Sequence, residues 1–255
     1  MTSMSAGLEC CAARVPSRCP TKSPNSKENN TLGGLSRMPT TLEFLEAILP
    51  QEGRKCAVVI DNGRPRQYFY ADIESLASAV EQLDSSCSVR GAVYHGCAGY
   101  TGVGRTKRDV VAVRALWLDI DCGAGHAYAD QPAAIDALRS FVCRVGLPTP
   151  LLVASGVGLH CYWPLDRSLS RDEWEPYALG LKALCEKEGL AAGPERTADC
   201  ASILRPPGTT HRKGAPLPVI CGPLQGPYPI ERFEGLLSHG PSILPRSREI
   251  GRAHV

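Results

Sequence analysis

The sequence predicts an α+β domain: a mixed, mainly antiparallel sheet with flanking helices. Strand-like runs come in adjacent pairs joined by turn signals, amphipathic runs with capping residues stand between them, and the regular strand-helix alternation of a parallel sheet is missing. The first element is a helix, LEFLEAIL, with hydroxyls at Thr40 and Thr41 ahead of it. CAVVID and RQYFYA, joined by DNGRP, read as a β-hairpin because Asn-Gly supplies the positive-φ pair of a tight turn. DIESLASAVEQL follows as a helix capped by Asp72, and GAVYHGCAGY as a strand.

A basic, glycine-containing loop, TGVGRTKRDV, leads into the apolar strand LWLDIDCG. DQPAAIDALRSFVCRVG is a helix, and LPTPLLVASGVGLHCYWPL splits into two strands around a Ser-Gly turn. SRDEWEPYALGLKALCEKEG is a long helix capped by Ser170, and TADCASIL is a short segment stopped by Pro206 and Pro207. LPVICG reads as the last strand and PIERFEGLL as the last helix.

The ends read differently. Residues 1–37 have loop composition and are expected to be a disordered tail or translated upstream sequence, with Met38 an alternative initiator. Residues 38–237 carry the ordered pattern, and 238–248 read as the start of a linker. Residues 249–255, EIGRAHV, match the translation of a sequencing adapter and are expected to be an assembly scar, so that the natural protein continues further.

Composition excludes several classes. A net charge of +2 over 255 residues is too small to draw nucleic acid by itself, so such a contact requires a local basic patch. Twelve cysteines without a CxxC pair point to reduced thiols of a cytoplasmic protein and give no reason to expect zinc. No run approaches the ~20 apolar residues of a membrane span, so no membrane partner is expected.

The chemistry starts at LWLDIDCG. Asp119 and Asp121 are two residues apart on an apolar strand, which puts both on one face about 6–7 Å apart. Two such carboxylates repel unless a cation lies between them, and hard oxygen ligands suit Mg²⁺ or Mn²⁺. In LLVASGVGLHCYW, alternation sets Leu159, Cys161 and Trp163 on the apolar face and His160 on the other. The turn Ser155–Gly156–Val157–Gly158 offers main-chain N–H groups and room for a ligand, so with His160 it forms a candidate phosphate site. TADCASILRPPGTTHRKG adds Asp199 as a third acid, and Arg205, His211, Arg212 and Lys213 as phosphate or nucleic-acid cations. Arg105, Lys107 and Arg108, just before the acidic strand, are the candidates for a template or primer backbone.

The ordered set, a strand ending DID, then SGVGLHCYW, then DCASILRPPGTTHRK, resembles the archaeo-eukaryotic primase superfamily, and within it the phage and plasmid primase-polymerases. That resemblance implies an RRM-like catalytic core over roughly residues 38–237 and template-directed nucleotidyl transfer from nucleoside triphosphates on single-stranded DNA. It further implies a two-metal site of Mg²⁺ or Mn²⁺ held by Asp119, Asp121 and Asp199, with His160, Ser155, Arg205 and Lys213 at the nucleotide. It also implies a helicase domain or protein C-terminal to this segment. The family often has Asn where this chain has His211, which leaves His211's role open. An inactive DNA-binding replication-initiation module and a metal-dependent nuclease are the competing readings.

Overall fold

In the computed structural model, which describes residues 37–102 and 104–237, the strands divide between two sheets. The first holds β1 (Lys55–Asp61), β2 (Arg64–Tyr70), β3 (Ala92–Gly96) and β8 (Ile203–Leu204) in the order β2-β1-β3-β8. The second holds β4 (Gly99–Tyr100), β5 (Val110–Ile120), β6 (Leu151–Ala154), β7 (Leu159–Leu169) and β11 (Ile220–Cys221) in the order β11-β6-β7-β5-β4. A separate ribbon pairs β9 (Thr210–His211) with β10 (Leu217–Pro218).

Every pairing between these strands is antiparallel, and among the described residues the parallel contacts are the isolated bridges Cys122–Tyr128 and Leu165–Tyr228. The single mixed sheet expected from sequence is thus two antiparallel ones, and the cause is local. GAVYHGCAGY is interrupted at Cys97–Ala98, where the chain leaves the first sheet and enters the second. A Cβ at Gly99 would fall 2.0 Å from the Glu52 carbonyl oxygen, so only glycine allows that crossing. LPVICG is likewise cut, its first half pairing with β9 and its second with β6.

The helices follow their predicted caps. α1 (Thr41–Ile48) begins with a reciprocal capping box between Thr40 and Glu43, and α2 (Ile73–Ser86) with the Asp72 carboxylate accepting from Ser75 N–H. Asp130 caps α3 (Gln131–Val145), which ends on left-handed Gly146. Ser170 and Glu173 box the start of α4 (Arg171–Glu188), which ends on left-handed Gly189. Each such cap contributes about 1 kcal/mol. A short α5 (Pro194–Thr197) and a final α6 (Glu231–Leu237) complete the set.

Phe44 of α1 joins the two sheets, packing edge-on against His95 of β3 and Tyr162 of β7 at 5.7 and 5.4 Å. Trp117 of β5 stacks on Trp174 of α4 at 4.8 Å, and both indole N–H groups reach carbonyls, those of Arg196 and Ala115. These contacts pack α1 and α4 against the strands β7 and β5 that lead to the site. No helix among the described residues is long and apolar enough to cross a membrane. The expectations for residues 1–36, the linker at 238–248 and the scar at 249–255 lie outside the described residues.

Candidate active site

Asp119 is the next-to-last residue of β5 and pairs directly with His160 of β7, so the two side chains share a face. His160 Nε2 lies 3.6 Å from Asp119 Oδ1, in Coulomb range and too far for a hydrogen bond. Asp121 falls just past the strand end and is exposed, whereas Asp119 is 4% exposed. The DID pair therefore consists of one buried and one open carboxylate. Burial pushes the Asp119 carboxyl up to about 6; Arg196 opposes that shift and the neighbouring Asp121 charge adds to it.

His160 departs from expectation. Alternation set it off the apolar face, but β7 is buried on both faces from Leu159 to Leu165, because the second face meets Tyr162, His95 and α1. Burial drives the His160 imidazole well below its ordinary value, with the nearby His95 ring next in effect. The ring sits behind Asp119 and does not line the cavity described below.

The turn glycines also serve a different purpose from the one read in the sequence. Gly156 is left-handed (φ +104°), and a Cβ there would lie 2.4 Å from the His211 Cβ; a Cβ on Gly158 would lie 2.5 Å from the Ile120 carbonyl oxygen. The space in the Cβ direction of both is filled by protein, although Gly158 also lines the cavity described below. Ser155 N–H donates to the Gly158 carbonyl, and Gln131, at the start of α3, donates from Nε2 to the Gly156 and Gly158 carbonyls at 3.0 and 2.9 Å. The result is a turn stapled against the end of β5.

Around these elements lies a cavity of about 240 Å³. Its lining brings the acids Asp119 and Asp121 together with Ser155 and Gly158, the cations Arg196, Arg205 and Lys213, and the side chains of His211, Tyr94 and His126. Arg205 is 8% exposed, donates from Nη2 to the Tyr94 hydroxyl at 2.9 Å and stacks its guanidinium 4.9 Å from that ring's centre. Its Nε, like His211 Nδ1, is buried without a hydrogen-bond partner. Orphaned buried nitrogens on a cationic wall are costly unless an anion or water meets them. Burial first, then the Arg205 and Lys213 charges, lowers the His211 pKa.

Several predicted residues fall elsewhere. Asp199 does not line this cavity; its Oδ1 accepts from Ala201 N–H at 3.1 Å and lies 3.7 Å from Lys107 Nζ. Arg105 is half-buried and donates to the Ala201 carbonyl, so it braces the Asp199 segment rather than facing solvent. Lys107 and Arg108 are exposed on a 3₁₀ turn (Lys107–Asp109).

Arg212 is turned away altogether. It grips Asp84 of α2 with two nitrogens at 2.6 and 2.8 Å, and only 15% of its side chain is exposed. Its fork is spent on α2, which corrects the nucleic-acid role read from the run HRK.

Arg196 was missed. It donates from Nη1 to Asp119 Oδ2 at 2.6 Å, and nothing in PERTADC signals a partner in β5. Tyr94, His126 and Gln131 were missed as well, since each reaches the site through tertiary contact alone.

The residues fit a divalent cation in part. A buried carboxylate with a raised pKa, an open carboxylate beside it and a guanidinium already drawn to the pair mark a place that selects positive charge. Among the described residues, no group of three His, Cys, Asp or Glu side chains is placed to hold a metal, so the three-carboxylate site is not assembled in this arrangement.

Fold and site define a class: an antiparallel two-sheet α+β domain presenting an acid pair at a strand end, in a small cavity that cations also line. More narrowly, the chain shares its fold with the AEP domain of a phage primase-polymerase. The primase domain of the cyanophage S-2L primase-polymerase is similar to it with a TM-score of 0.53 and 13% identity, over 72% of this chain and 89% of that one. The catalytic domain of primase RepB′, in complex with initiator DNA, gives 0.47 and 15% over 72% and 84%. The polymerase domain of Mycobacterium tuberculosis ligase D, in complex with DNA, gives 0.40 and 16% over 66% and 62%. No protein-family model and no curated protein matches the chain in sequence.

Proposed function

We propose that the chain is a primase-polymerase catalytic domain that joins nucleoside triphosphates on a single-stranded DNA template and releases pyrophosphate, in the replication of a phage or plasmid. The observation that carries this reading is that one cavity is lined by both Asp119 and Asp121 and by Arg205, His211 and Lys213. In nucleotidyl transfer a 3′-hydroxyl oxygen bonds to the α-phosphorus while the bond to the bridging oxygen breaks, so negative charge builds on the departing pyrophosphate. Arg205, His211 and Lys213 are the groups that would hold that charge.

Asp119 and Asp121 would hold the metal, Mg²⁺ or Mn²⁺, which would supply Lewis-acid activation of the hydroxyl and neutralise phosphate oxygens. Asp199 is the candidate third ligand for a second ion. Its tie to Lys107 is long and its side chain is 36% exposed, so a rotamer change costs little. Tyr94 fixes Arg205, and Gln131 with Ser155 fixes the turn beside the acids. His160, buried beside Asp119 in the β5–β7 register, packs behind that carboxylate. Lys107 and Arg108 offer the exposed charge for a nucleic-acid backbone.

The test is incubation with Mg²⁺ or Mn²⁺, a single-stranded template and labelled nucleotides, with and without primer. Newly made strand is the expected product. Template shortening would instead identify a nuclease, which leaves the Arg205–His211–Lys213 wall without a purpose. A mobility shift without synthesis would identify an inactive DNA-binding module. A helicase partner C-terminal to the domain belongs to the same proposal, and continuation of the reading frame past residue 248 is its check.

A further inference from the structure

We infer that Arg196 is a displaceable counter-ion: its guanidinium neutralises Asp119 while the acid pair is metal-free and yields that carboxylate to a divalent cation, so Arg196 sets the affinity of the site. The inference rests on the metal reading above and adds to it a residue that weakens metal binding by competition.

Three features of the structure carry it. The backbone of Arg196 is pinned while its side chain is not. The Arg196 carbonyl accepts from Trp117 Nε1 at 2.8 Å and Ser202 Oγ at 3.0 Å, and Gly193 N–H donates to the Asp119 carbonyl at 2.7 Å, which docks α5 on the end of β5. The guanidinium is 53% exposed and holds Asp119 through a single donor, Nη1 to Oδ2 at 2.6 Å. Release therefore needs only side-chain rotation.

The second feature is charge. The half-exposed Arg196 makes its close contact with Asp119 alone, while the neighbouring Asp121 charge also acts on that carboxylate and Arg205 adds a more distant attraction. A divalent ion placed against both gains two attractions where the guanidinium has one close contact, so exchange is favourable. The third is room: Arg196 already lines the 240 Å³ cavity into which its side chain would turn. A purely structural ion pair would be expected to use both guanidinium nitrogens and a buried fork, as Arg212 does with Asp84.

Manganese binding to the full chain, followed by the loss of the free-ion EPR signal, tests the inference without reference to activity. Arg196→Gln should bind Mn²⁺ about tenfold more tightly than wild type, near the lower end of the coupling expected between two ligands of one protein. Arg196→Lys, which restores a competing charge, should return toward wild-type affinity. Unchanged or weaker binding in Arg196→Gln overturns the exchange. Absence of Mn²⁺ binding in wild type and variants alike overturns the metal reading and the exchange with it.

A measurement on the unsubstituted chain guards against a folding defect in the variants. The ¹⁵N-detected guanidinium signals of Arg196 should show hindered rotation in metal-free buffer and free rotation at saturating Mg²⁺. Rotation that stays hindered at saturation overturns the exchange.

Discussion

The two sides of the cavity are built by opposite means. The acidic side comes from one strand end and one hairpin turn of a single sheet: Asp119 and Asp121 leave β5, and Ser155 and Gly158 belong to the β6–β7 turn beside it. The cationic side is gathered from α5, from the chain after β8 and from the chain after β9, and Tyr94, which braces Arg205, belongs to the other sheet. One side is local and set by strand register; the other exists only once the two sheets have met. Substitutions on the first should therefore separate chemistry from folding, and those on the second should mix the two.

The largest expected effect sharpens that contrast. Asp121→Asn alters an exposed residue past a strand end, so its stability should stay within about 0.5 kcal/mol of wild type. Primer extension should fall on the order of 10³-fold, the scale of losing a key electrostatic group from a transition state. Residual synthesis above a tenth of wild type would break the assignment of the acidic side.

Asp119 differs from Asp121 in being buried, and pH exposes the difference. Its carboxyl titrates at about 6 in the fold against an ordinary 3.8. Between those values the unfolded chain has lost the proton that the folded chain keeps, so the unfolded state binds fewer protons and stability falls as pH rises. The contribution is fully present below about pH 4 and lost by about pH 6, with a size on the order of 3 kcal/mol. Urea denaturation of wild type and Asp119→Asn across this range is the check. The variant should lack the decline; an identical slope in both would show that another group carries it.

How far the sequence reaches follows the same division. The β1–β2 hairpin, the caps at Thr40, Asp72 and Ser170, and the apolar strand leading to Asp119 were legible because each is written in a contiguous stretch. Two sheets in place of one were not, because the break at Cys97–Ala98 depends on Gly99 passing under the Glu52 carbonyl, a contact across the fold. Arg205 and Arg212 read alike in LRPPGTTHR. What separates them is that Asp84, from a helix far back in the chain, captures one and leaves the other to Tyr94.

That pair gives the next prediction. Arg212→Ala leaves Asp84 buried without its partner and should cost about 3 kcal/mol of stability, while the activity of the folded fraction is unchanged. Arg205→Lys keeps the charge but loses the fork over Tyr94, and should weaken triphosphate binding roughly 30-fold, the scale of a lost charge-assisted hydrogen bond. Denaturation midpoints set beside nucleotide titrations would show whether the effects divide this way; an Arg212→Ala chain that stays stable but fails to bind nucleotide would reverse the roles.

The smallest effect lies outside the cavity, where neither sheet contributes. Lys107 and Arg108 are exposed on the 3₁₀ turn ahead of β5, and the one ion pair there, Lys107 with Asp199, is long and open to solvent. Exposed cations act on a nucleic-acid backbone by releasing counterions, with little regard for sequence. Arg108→Ala should weaken single-stranded DNA binding a few-fold and reduce the slope of log affinity against log salt by about 0.7. Lys107→Ala should do the same and, by releasing Asp199, leave the third acid free to turn toward the cavity. A salt titration of both variants distinguishes them: equal slopes but tighter Mn²⁺ binding in Lys107→Ala is expected, and an unchanged slope in both would remove this turn from the template path.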